Sequence, residues 1–431
     1  MFLLGPALAW SQQELSLDQA LTLALQHNRR VAVARLEVDK SDNAVQVMRK
    51  YRLPNLQFYM LEGHLLDPVN FVFPTGLFGV IPQLGPFPQS PATIHTPGKP
   101  FTFVFGQISE PIAQQYKITL GIQNERLKEQ IAKEQLSLQE QTIADDVKKT
   151  YYDLVRAQSG LAATDETIKL FRELNRVASN GFAEQAVLKS DVLDTETGLA
   201  SSETQALTLR DTAATLKEKM NTLLGRDLAT DFTVAGTSET QDGQLDLVAL
   251  RAKAREQRPE LREARLKVQQ AEVDRKAKKA EYIPDVNLNF DYFSLFDINF
   301  IPTNITSIGF EVKYEVFDWG RKRQELALKS KTIDQAKTAV DETAAQIDLE
   351  VGADYRKLEE ARQQLRVANL ALAADQEKVR VAVNRFDQNQ LLLKDVLQLR
   401  TSLAEKTFKY QDALATFWTA RADLEKATGD R

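Results

Sequence analysis

The chain has 431 residues, of which 43% are hydrophobic and 27% charged, so it can bury a core and is not a disordered chain. It contains no cysteine, which excludes disulfides, thiolate metal sites and cysteine nucleophiles. The net charge is −5 with no basic block, which argues against nucleic-acid binding, and no metal-ligand spacing links the three histidines, His27, His64 and His95.

The first residues, 1–12, are predicted to be the remnant of a secretory signal. A short apolar run follows Met1, and Ala7 and Ala9 have the spacing of a signal cleavage site. The run lacks the basic residues that usually begin such a signal, so a disordered apolar tag is the alternative. No run of about 18 apolar residues follows, and a membrane span in this chain would therefore have to consist of strands.

Two copies of one plan account for the rest of the chain. Residues 34–36 recur as 264–266, an offset of 230, and residues 191–193 recur as 395–397, an offset of 204. The difference of 26 (230 − 204) indicates one insertion in the first copy, within residues 63–100. A sustained offset of this kind predicts an internal repeat. We assign the first repeat to residues 14–225, an equatorial linker to 226–246 and the second repeat to 247–429.

Each repeat is predicted to begin with one helix of about 35 residues, which a proline (Pro54 or Pro284) ends because its ring blocks the next turn. Ser16 and Gln19 form the capping box that begins the first of these helices. A strand pair, a very long helix and a return helix follow. The long helices cover about 115–180 and 321–384, and the return helices about 188–224 and 391–427. Heptad spacing predicts coiled-coil-like packing along two matched stripes: Val147, Tyr151, Leu154 and Leu161, and Val351, Tyr355, Leu358 and Leu365.

The strand pairs are predicted at 54–62 with 101–112, and at 284–296 with 307–317. Residues 285–292 alternate strictly between apolar and polar side chains, as strands of soluble sandwiches and of membrane barrels both do. One chain supplies four such strands, whereas roughly eight are needed to close a barrel. Because open sheet edges cannot face lipid, a membrane location requires several chains to share one barrel. We favour this arrangement, since a two-stranded ribbon alone in water is marginal.

The repeat, the strand pairs and the long helices together resemble the TolC-type outer-membrane efflux proteins over about residues 14–429. Residues 15–28 resemble the family's opening helix, and residues 316–321 resemble its strand-to-helix motif. Residues 385–386, followed by 395–397, resemble its helical-hairpin turn. Each motif is weak by itself, but the set is specific.

The resemblance implies a mainly α fold with a small β part. Long coiled-coil-like helices would form an α-barrel, and each chain would contribute four strands to a shared trimeric transmembrane β-barrel. The implied function is a passive exit duct for tripartite efflux or type I secretion, in the outer membrane of a Gram-negative bacterium and extending into the periplasm. The implied partners are two further copies in a homotrimer, a periplasmic adaptor (membrane fusion) protein, an inner-membrane pump of the RND, ABC or MFS type, and outer-membrane lipid. No cofactor is implied.

The family's periplasmic gate falls, by position, near the turns between the long and return helices. The candidate gate residues are Ser190, Asp191, Asp194, Phe386 and Asp395. Repeated carboxylates around a narrow pore attract cations, but such acids can instead serve only to cap the return helices. This chain departs from the family at Leu391, which replaces a gate arginine, and at Gln185, which replaces a hairpin glycine. Gln398 replaces the acid that would match Asp194, so the gate is predicted to differ between repeats.

An enzyme is not expected, because the sequence has no Ser–His–Asp order, glycine-rich phosphate loop or metal-binding constellation. A soluble periplasmic adaptor or coiled-coil scaffold is the alternative function, since adaptors also use long helical hairpins. Two strand pairs with lipid-type alternation favour the channel. Residues 63–100 would then be the long outer loop, either a lid over the pore mouth or a loop without a role.

Overall fold

The computed structural model describes residues 14–67, 69–96, 100–185, 188–236, 245–296, 303–388, 390–391 and 393–430. The signal-like residues 1–12 and residues 237–244 of the linker lie outside these ranges. The chain divides into two compact units. One contains the chain up to Asp39, Gln130–Lys267 and the residues from Ala336 on, and the other contains Lys40–Glu129 and Val268–Gln335.

Helices dominate the described chain, and the predicted fold class, mainly α with a small β part, is confirmed. The helices are α1 Leu17–His27, α2 Arg29–Lys50, α3 Gln115–Ala183, α4 Lys189–Leu223, α5 Leu247–Gln257, α6 Pro259–Ala280, α7 Arg321–Asp387 and α8 Leu393–Thr428. The first and last residues of α5 and α6 lie 230 positions after those of α1 and α2. The last residue of α7 and the first residue of α8 lie 204 positions after the last residue of α3 and the first residue of α4. None of the described helices has both the length and the apolar character needed to cross a membrane.

The opening helix of each repeat is interrupted, so the prediction of one continuous helix was wrong. Asn28 has ψ 130° and separates α1 from α2, and its Oδ1 accepts a hydrogen bond from the main-chain nitrogen of Arg30 at 2.8 Å. Asn28 thus ends one helix and caps the next. Arg258 has the equivalent place in the second repeat, where Pro259 disfavours helical geometry in the residue before it.

Each repeat buries its own apolar cluster around its predicted stripe. Tyr151 donates a hydrogen bond from Oη to the main-chain oxygen of Leu15 at 3.2 Å, and Tyr355 donates the same bond to Leu245 at 3.4 Å. The two tyrosines are 204 residues apart and the two acceptor residues are 230 apart, which are the two offsets of the repeat. The same contact therefore occurs in both repeats. Trp418 packs against both clusters. The buried centres of the stripes are Val147, Tyr151 and Leu154, and Val351, Leu358 and Leu365.

The strands are β1 Glu14–Leu15, β2 Asn55–His64, β3 Val69–Phe73, β4 Val80–Ile81, β5 Gly85–Pro86, β6 Ala92–Thr96, β7 Pro100–Pro111, β8 Thr233–Val234, β9 Asp285–Phe296 and β10 Asn304–Lys313. An antiparallel four-stranded sheet has the order β10-β9-β7-β2, which leaves β2 and β10 at its edges. β1 and β8 form a separate parallel pair, which lies partly within the predicted linker.

Two boundaries in this sheet differ from the prediction. β10 begins before residue 307 and ends before residue 317, because its last residue, Lys313, pairs with Asp285. Asp285 directly follows Pro284, which lacks the N–H needed to continue the ladder. Residues 63–100 are also not a plain loop. They contain the end of β2 and two short antiparallel pairs, β3 with β6 and β4 with β5.

Candidate functional sites

The first predicted gate cluster lies at the start of α4. Ser190, Asp191 and Asp194 are all exposed. Asp191 accepts a hydrogen bond at Oδ2 from the main-chain nitrogen of Leu188 at 3.4 Å, which is a weak helix-capping contact. Gln185, which stands in the place of a hairpin glycine, has φ 62°, so this turn takes the left-handed conformation despite its side chain.

The second predicted cluster lies at the end of α7 and the start of α8. Phe386 is 37% exposed, and Asp395 is half-buried in the first turn of α8. The main-chain nitrogen of Gln390 donates to the carbonyl of Arg385 at 2.9 Å across the turn. Among the described residues, no hydrogen bond or ion pair joins these residues to Ser190, Asp191 or Asp194. Within one chain, the predicted gate residues therefore fall at two turns, one in each repeat.

The α3–α4 hairpin and the α7–α8 hairpin have different side-chain contacts between their helices at equivalent positions. In the first, the ring of Phe171 covers Gly198, where a Cβ would overlap it. At the matching positions of the second, Asp375 replaces the phenylalanine and Ser402 the glycine. Ser402 donates to Asp375 at 2.6 Å and Lys378 donates to it at 2.7 Å. The hydrogen bond from Lys378, followed by that from Ser402, holds the pKa of Asp375 below its usual range.

The break between the opening helices packs against the end of the return helix in both repeats. Asn28 donates from Nδ2 to the carbonyl of Leu223 at 2.8 Å, and Arg258 donates from Nη1 to the carbonyl of Ala427 at 3.3 Å. Arg258 is buried, and Glu260 and Glu350 balance its charge at 2.7 and 2.9 Å. These residues were not selected from the sequence, because a lone asparagine or arginine carries no signal of its partner.

The predicted strand-to-helix motif forms a sharp turn after β10. Asp318 accepts from the main-chain nitrogens of Gly320 at 3.0 Å and Lys322 at 2.9 Å, and so caps α7. Trp319 and Gly320 both have positive φ, 57° and 82°. Trp319 is 89% exposed and its ring contacts Phe317 edge-on at 4.8 Å. Two aromatic side chains therefore project at the end of the strand.

The four-stranded sheet has one strongly apolar face. Its central row, which the strand register aligns, consists of Leu56, Ile108, Phe290 and Ile308. Leu56 is 74% exposed and Ile308 is 72% exposed. We call this side of the sheet the Phe290 face. The two rows of this face nearer the helices are apolar at Val286, Leu288, Phe310 and Val312, and contain one charged residue, Glu110 of β7, which pairs with Leu288.

The opposite side, here called the Asp291 face, is polar at the end nearest the helices. Gln107 donates to Asp291 at 2.8 Å, Ser109 donates to Asn289 at 2.7 Å, and Asn289 donates to Glu311 at 3.1 Å. These bonds run across the strands, so the polar side chains satisfy one another within the sheet. In a soluble sandwich, the polar face of a sheet meets water and the apolar face is covered. In this sheet, by contrast, the apolar Phe290 face is exposed.

The Asp291 face becomes apolar towards the loops, which the sequence analysis missed. The row beyond Asp291 consists of Tyr59, Phe105, Phe293 and Ile305, and the next row consists of Leu61, Phe103 and Leu295. The signal was present in the sequence as the change of apolar parity along β7, where the phenylalanines alternate out of step with Val104 and Ile108.

In the described part of the chain, no three His, Asp or Glu side chains are grouped as metal ligands. The features with chemical character are therefore the acidic hairpin turns and the two-faced sheet. Neither has the nucleophile, base and oxyanion donors that a catalytic site requires.

The family of outer membrane efflux proteins matches residues 250–430. No curated protein matches the chain in sequence. The CmeC outer membrane channel of Campylobacter jejuni is 15% identical with a TM-score of 0.76, and the match covers 98% of this chain and 90% of that chain. VceC of Vibrio cholerae is 14% identical with a TM-score of 0.72, covering 96% of each chain. The open-state MtrE channel of Neisseria gonorrhoeae is 15% identical with a TM-score of 0.71, covering 96% of this chain and 89% of that chain.

These identities are low, so the matched structures establish a shared fold, whereas the family match rests on sequence. The expected resemblance is confirmed on both grounds. Residues 250–430 match the outer membrane efflux protein family, and the chain as a whole has the fold of the outer-membrane channels related to TolC.

Proposed function

We propose that three copies of this chain form an outer-membrane channel, the passive exit duct of an efflux or type I secretion system. The observation that carries the proposal is the exposed apolar row of Leu56, Ile108, Phe290 and Ile308. On the opposite face of the sheet, the polar side chains near the helices hydrogen-bond to one another across the strands. Such a sheet is suited to lipid on one side and water on the other.

The edges of the sheet support a shared barrel. β2 and β10 lie at opposite edges, and the four antiparallel strands make these edge strands run in opposite directions. β2 of one copy can therefore pair antiparallel with β10 of the next. Three copies would give 12 strands (3 × 4), an even number within the range of bacterial outer-membrane barrels.

The position of the aromatic side chains agrees with this orientation. Tyr314, Phe317 and Trp319 are exposed where the apolar Phe290 face gives way to the start of α7. Aromatic residues commonly form a girdle where a barrel leaves the bilayer. We place this end of the sheet at the periplasmic boundary of the outer membrane, with the long helices extending into the periplasm as an α-barrel. A periplasmic adaptor and an inner-membrane pump would supply substrate and energy.

The acidic turns fit a selective gate within this proposal. Ser190, Asp191 and Asp194 at one turn, with Phe386 and Asp395 at the other, would recur three times around the pore. The exposed carboxylates would then create a negative potential that favours cations. Gln398 in the place matching Asp194 makes the two turns unequal.

Fractionation of a Gram-negative host that expresses the full chain tests the channel proposal. We expect the protein in the outer-membrane fraction, released only by detergent, and cross-linked as a trimer. The detergent-extracted protein should conduct ions in planar lipid bilayers. Release into buffer without detergent would overturn the proposal in favour of a soluble adaptor or scaffold, and a detergent-solubilised monomer would overturn the shared barrel.

A further inference from the structure

Three arginines meet at one cavity between the end of α2 and the first turns of α3. Arg49 lies in the last turn of α2, Arg52 lies in the turn that follows, and Arg126 lies in α3. They line a cavity of about 470 Å³, whose other lining residues are Thr119, Ile122 and Gln123 of α3. We call this cavity the arginine pocket. It lies wholly within the compact unit that contains the four-stranded sheet.

The positive charge of the arginine pocket is not balanced by acids. In the described part of the chain, no carboxylate pairs with Arg49, Arg52 or Arg126. Arg52 donates from Nη2 to Thr119 Oγ1 at 2.9 Å, and Arg49 donates from Nη1 to Gln46 Oε1 at 3.4 Å. The other N–H groups of both guanidinium groups have no partner within the described ranges.

Basic side chains often offset the negative end of a helix, which would explain Arg49 and Arg52 at the end of α2. This effect does not explain Arg126, which lies in the interior of α3. The second repeat also shows that the packing of the helices does not require these charges. Tyr282 lies 230 residues after Arg52, and neutral Ser330 lies 204 residues after Arg126.

The arginine pocket is on the same side of the chain as the Phe290 face. On the other side of α3, Nζ of Lys117 lies 2.6 Å from Oδ1 of Asp285, which has the parity of the Asp291 face in β9. At about 100° per residue, Arg126 lies about 180° around the helix from Lys117. Arg52 is also four residues before Leu56, the exposed end of the apolar row. The pocket therefore adjoins the proposed lipid-facing surface at its end nearest the helices.

We propose that the arginine pocket binds the phosphate group of a phospholipid in the periplasmic leaflet of the outer membrane. The inference rests on the proposed channel, which places this end of the sheet at the periplasmic boundary of the membrane. Guanidinium groups bind phosphate oxygens through paired N–H donors, and basic pockets at a membrane surface bind acidic lipid head groups. The acyl chains of the bound lipid lie against the apolar Phe290 face, and each chain of the trimer holds one lipid.

Native mass spectrometry of the detergent-solubilised trimer tests the pocket with two lipids that differ only in the head group, dioleoylphosphatidylglycerol and dioleoylglycerol. The wild type should retain phosphatidylglycerol, one per chain, and little dioleoylglycerol. The triple variant Arg49→Gln, Arg52→Gln and Arg126→Gln should bind phosphatidylglycerol about tenfold more weakly, because a hydrogen bond to a charged group contributes a factor of that order. All three arginines are exposed, so the variant should assemble and conduct as the wild type does.

A second triple variant is the matched control: Lys276→Gln, Lys279→Gln and Arg323→Gln. It removes the same charge from exposed positions at the corresponding end of the second repeat. Its affinity for phosphatidylglycerol should equal that of the wild type. An equal loss in both triple variants would mean that the lipid responds to positive charge in general, and would overturn the pocket. If the first variant does not assemble, Arg126→Gln alone replaces it and should weaken binding in the same direction.

Inorganic phosphate in molar excess distinguishes a lipid head group from a free anion. It should displace little phosphatidylglycerol, because the acyl chains add apolar contacts that phosphate lacks. Displacement of all the lipid would make the pocket a site for free phosphate and overturn the lipid assignment. A conducting wild type that binds both lipids alike overturns the pocket and leaves the channel standing. A wild type absent from the outer-membrane fraction overturns the channel and the pocket together.

Discussion

Asn28 donates from its side-chain amide to the carbonyl of Leu223 at 2.8 Å, and the same side chain caps α2 through Arg30. It is 4% exposed, so its loss leaves buried polar groups unpaired. We expect Asn28→Ala to destabilise the protein by about 1–3 kcal/mol, seen as a lower midpoint of thermal unfolding by circular dichroism in detergent. Asn43→Ala, on the exposed side of α2, should leave the midpoint nearly unchanged. Equal midpoints for the two variants would contradict the assigned role.

Alanine substitutions at three glycines distinguish the stability cost of steric overlap from that of backbone strain. Gly225 has φ 68° and no room for a Cβ beside the carbonyl of His27, Gly320 has φ 82° with open space, and Gly236 has neither constraint. Alanine should therefore cost about 2–4 kcal/mol at Gly225 and about 1 kcal/mol at Gly320. At Gly236 we expect no loss of stability. Denaturant titration of the three variants measures this order, and a Gly225→Ala protein as stable as Gly236→Ala would refute the overlap.

Asp375 should make the second hairpin sensitive to acid. Its pKa is lowered in the folded protein by Lys378 and Ser402, so the carboxylate stabilises the fold above its unfolded pKa. That contribution is lost as the pH falls through the folded pKa, which lies below the usual value of about 3.9. The protection factors of the backbone amides against hydrogen exchange, measured from about pH 6 to pH 3 and corrected for the intrinsic exchange rate at each pH, should therefore fall more in α8 than in α4.

Two equivalent glutamate–arginine pairs, one in each hairpin, provide the control for the comparison of α8 with α4. Glu173 with Arg176 in the first hairpin and Glu377 with Arg380 in the second are equivalent pairs, each with a lowered glutamate pKa. They contribute alike to both hairpins. Asp375→Asn should remove the excess acid response of α8, and an excess that persists in this variant would show that another group causes it.

Asp191 and Asp395 are expected to favour cations in the pore. Replacing both with asparagine removes two carboxylates per subunit, six in a trimer, and should lower the ratio of cation to anion permeability by about twofold or more. Asp211→Asn, on the exposed side of α4 away from the turn, is the control and should change this ratio little. Reversal potentials in a salt gradient give the ratio, and an unchanged value in the double variant argues that these acids only cap their helices.

The lipid-facing assignment can be tested at two adjacent residues. Phe310 lies on the Phe290 face and is 73% exposed, whereas Glu311 lies on the Asp291 face, where Asn289 donates to it. Phe310→Arg places a charge in lipid, at a cost of about 2–4 kcal/mol near the membrane centre, and should reduce the amount of assembled trimer. Glu311→Arg should assemble, because its side chain faces water. Equal assembly of both variants would mean that the Phe290 face does not meet lipid.

The sequence predicted the features that depend on neighbouring residues along the chain. Pro54 and Pro284 end their helices, and the matched glycines at 225 and 429 both have the positive φ that favours glycine. The break at Asn28 was missed because an apolar stripe continues through it, and only its capping bond marks it. The Phe171–Gly198 contact and the Asp375–Ser402 bond join residues on different helices, so no local pattern reveals them. Which residues form the gate remains a prediction.

The unpaired edges of the four-stranded sheet also affect how a single copy of the protein behaves before it assembles. β2 and β10 each have one side without a partner strand in the described chain, so a lone copy exposes two rows of main-chain donors and acceptors beside an apolar face. Such edges readily pair with whatever strand they meet first. If the chain assembles as the proposed trimer, each new copy would have to be shielded until its neighbours arrive. A cell short of periplasmic chaperones should then accumulate this protein as aggregates rather than as free subunits.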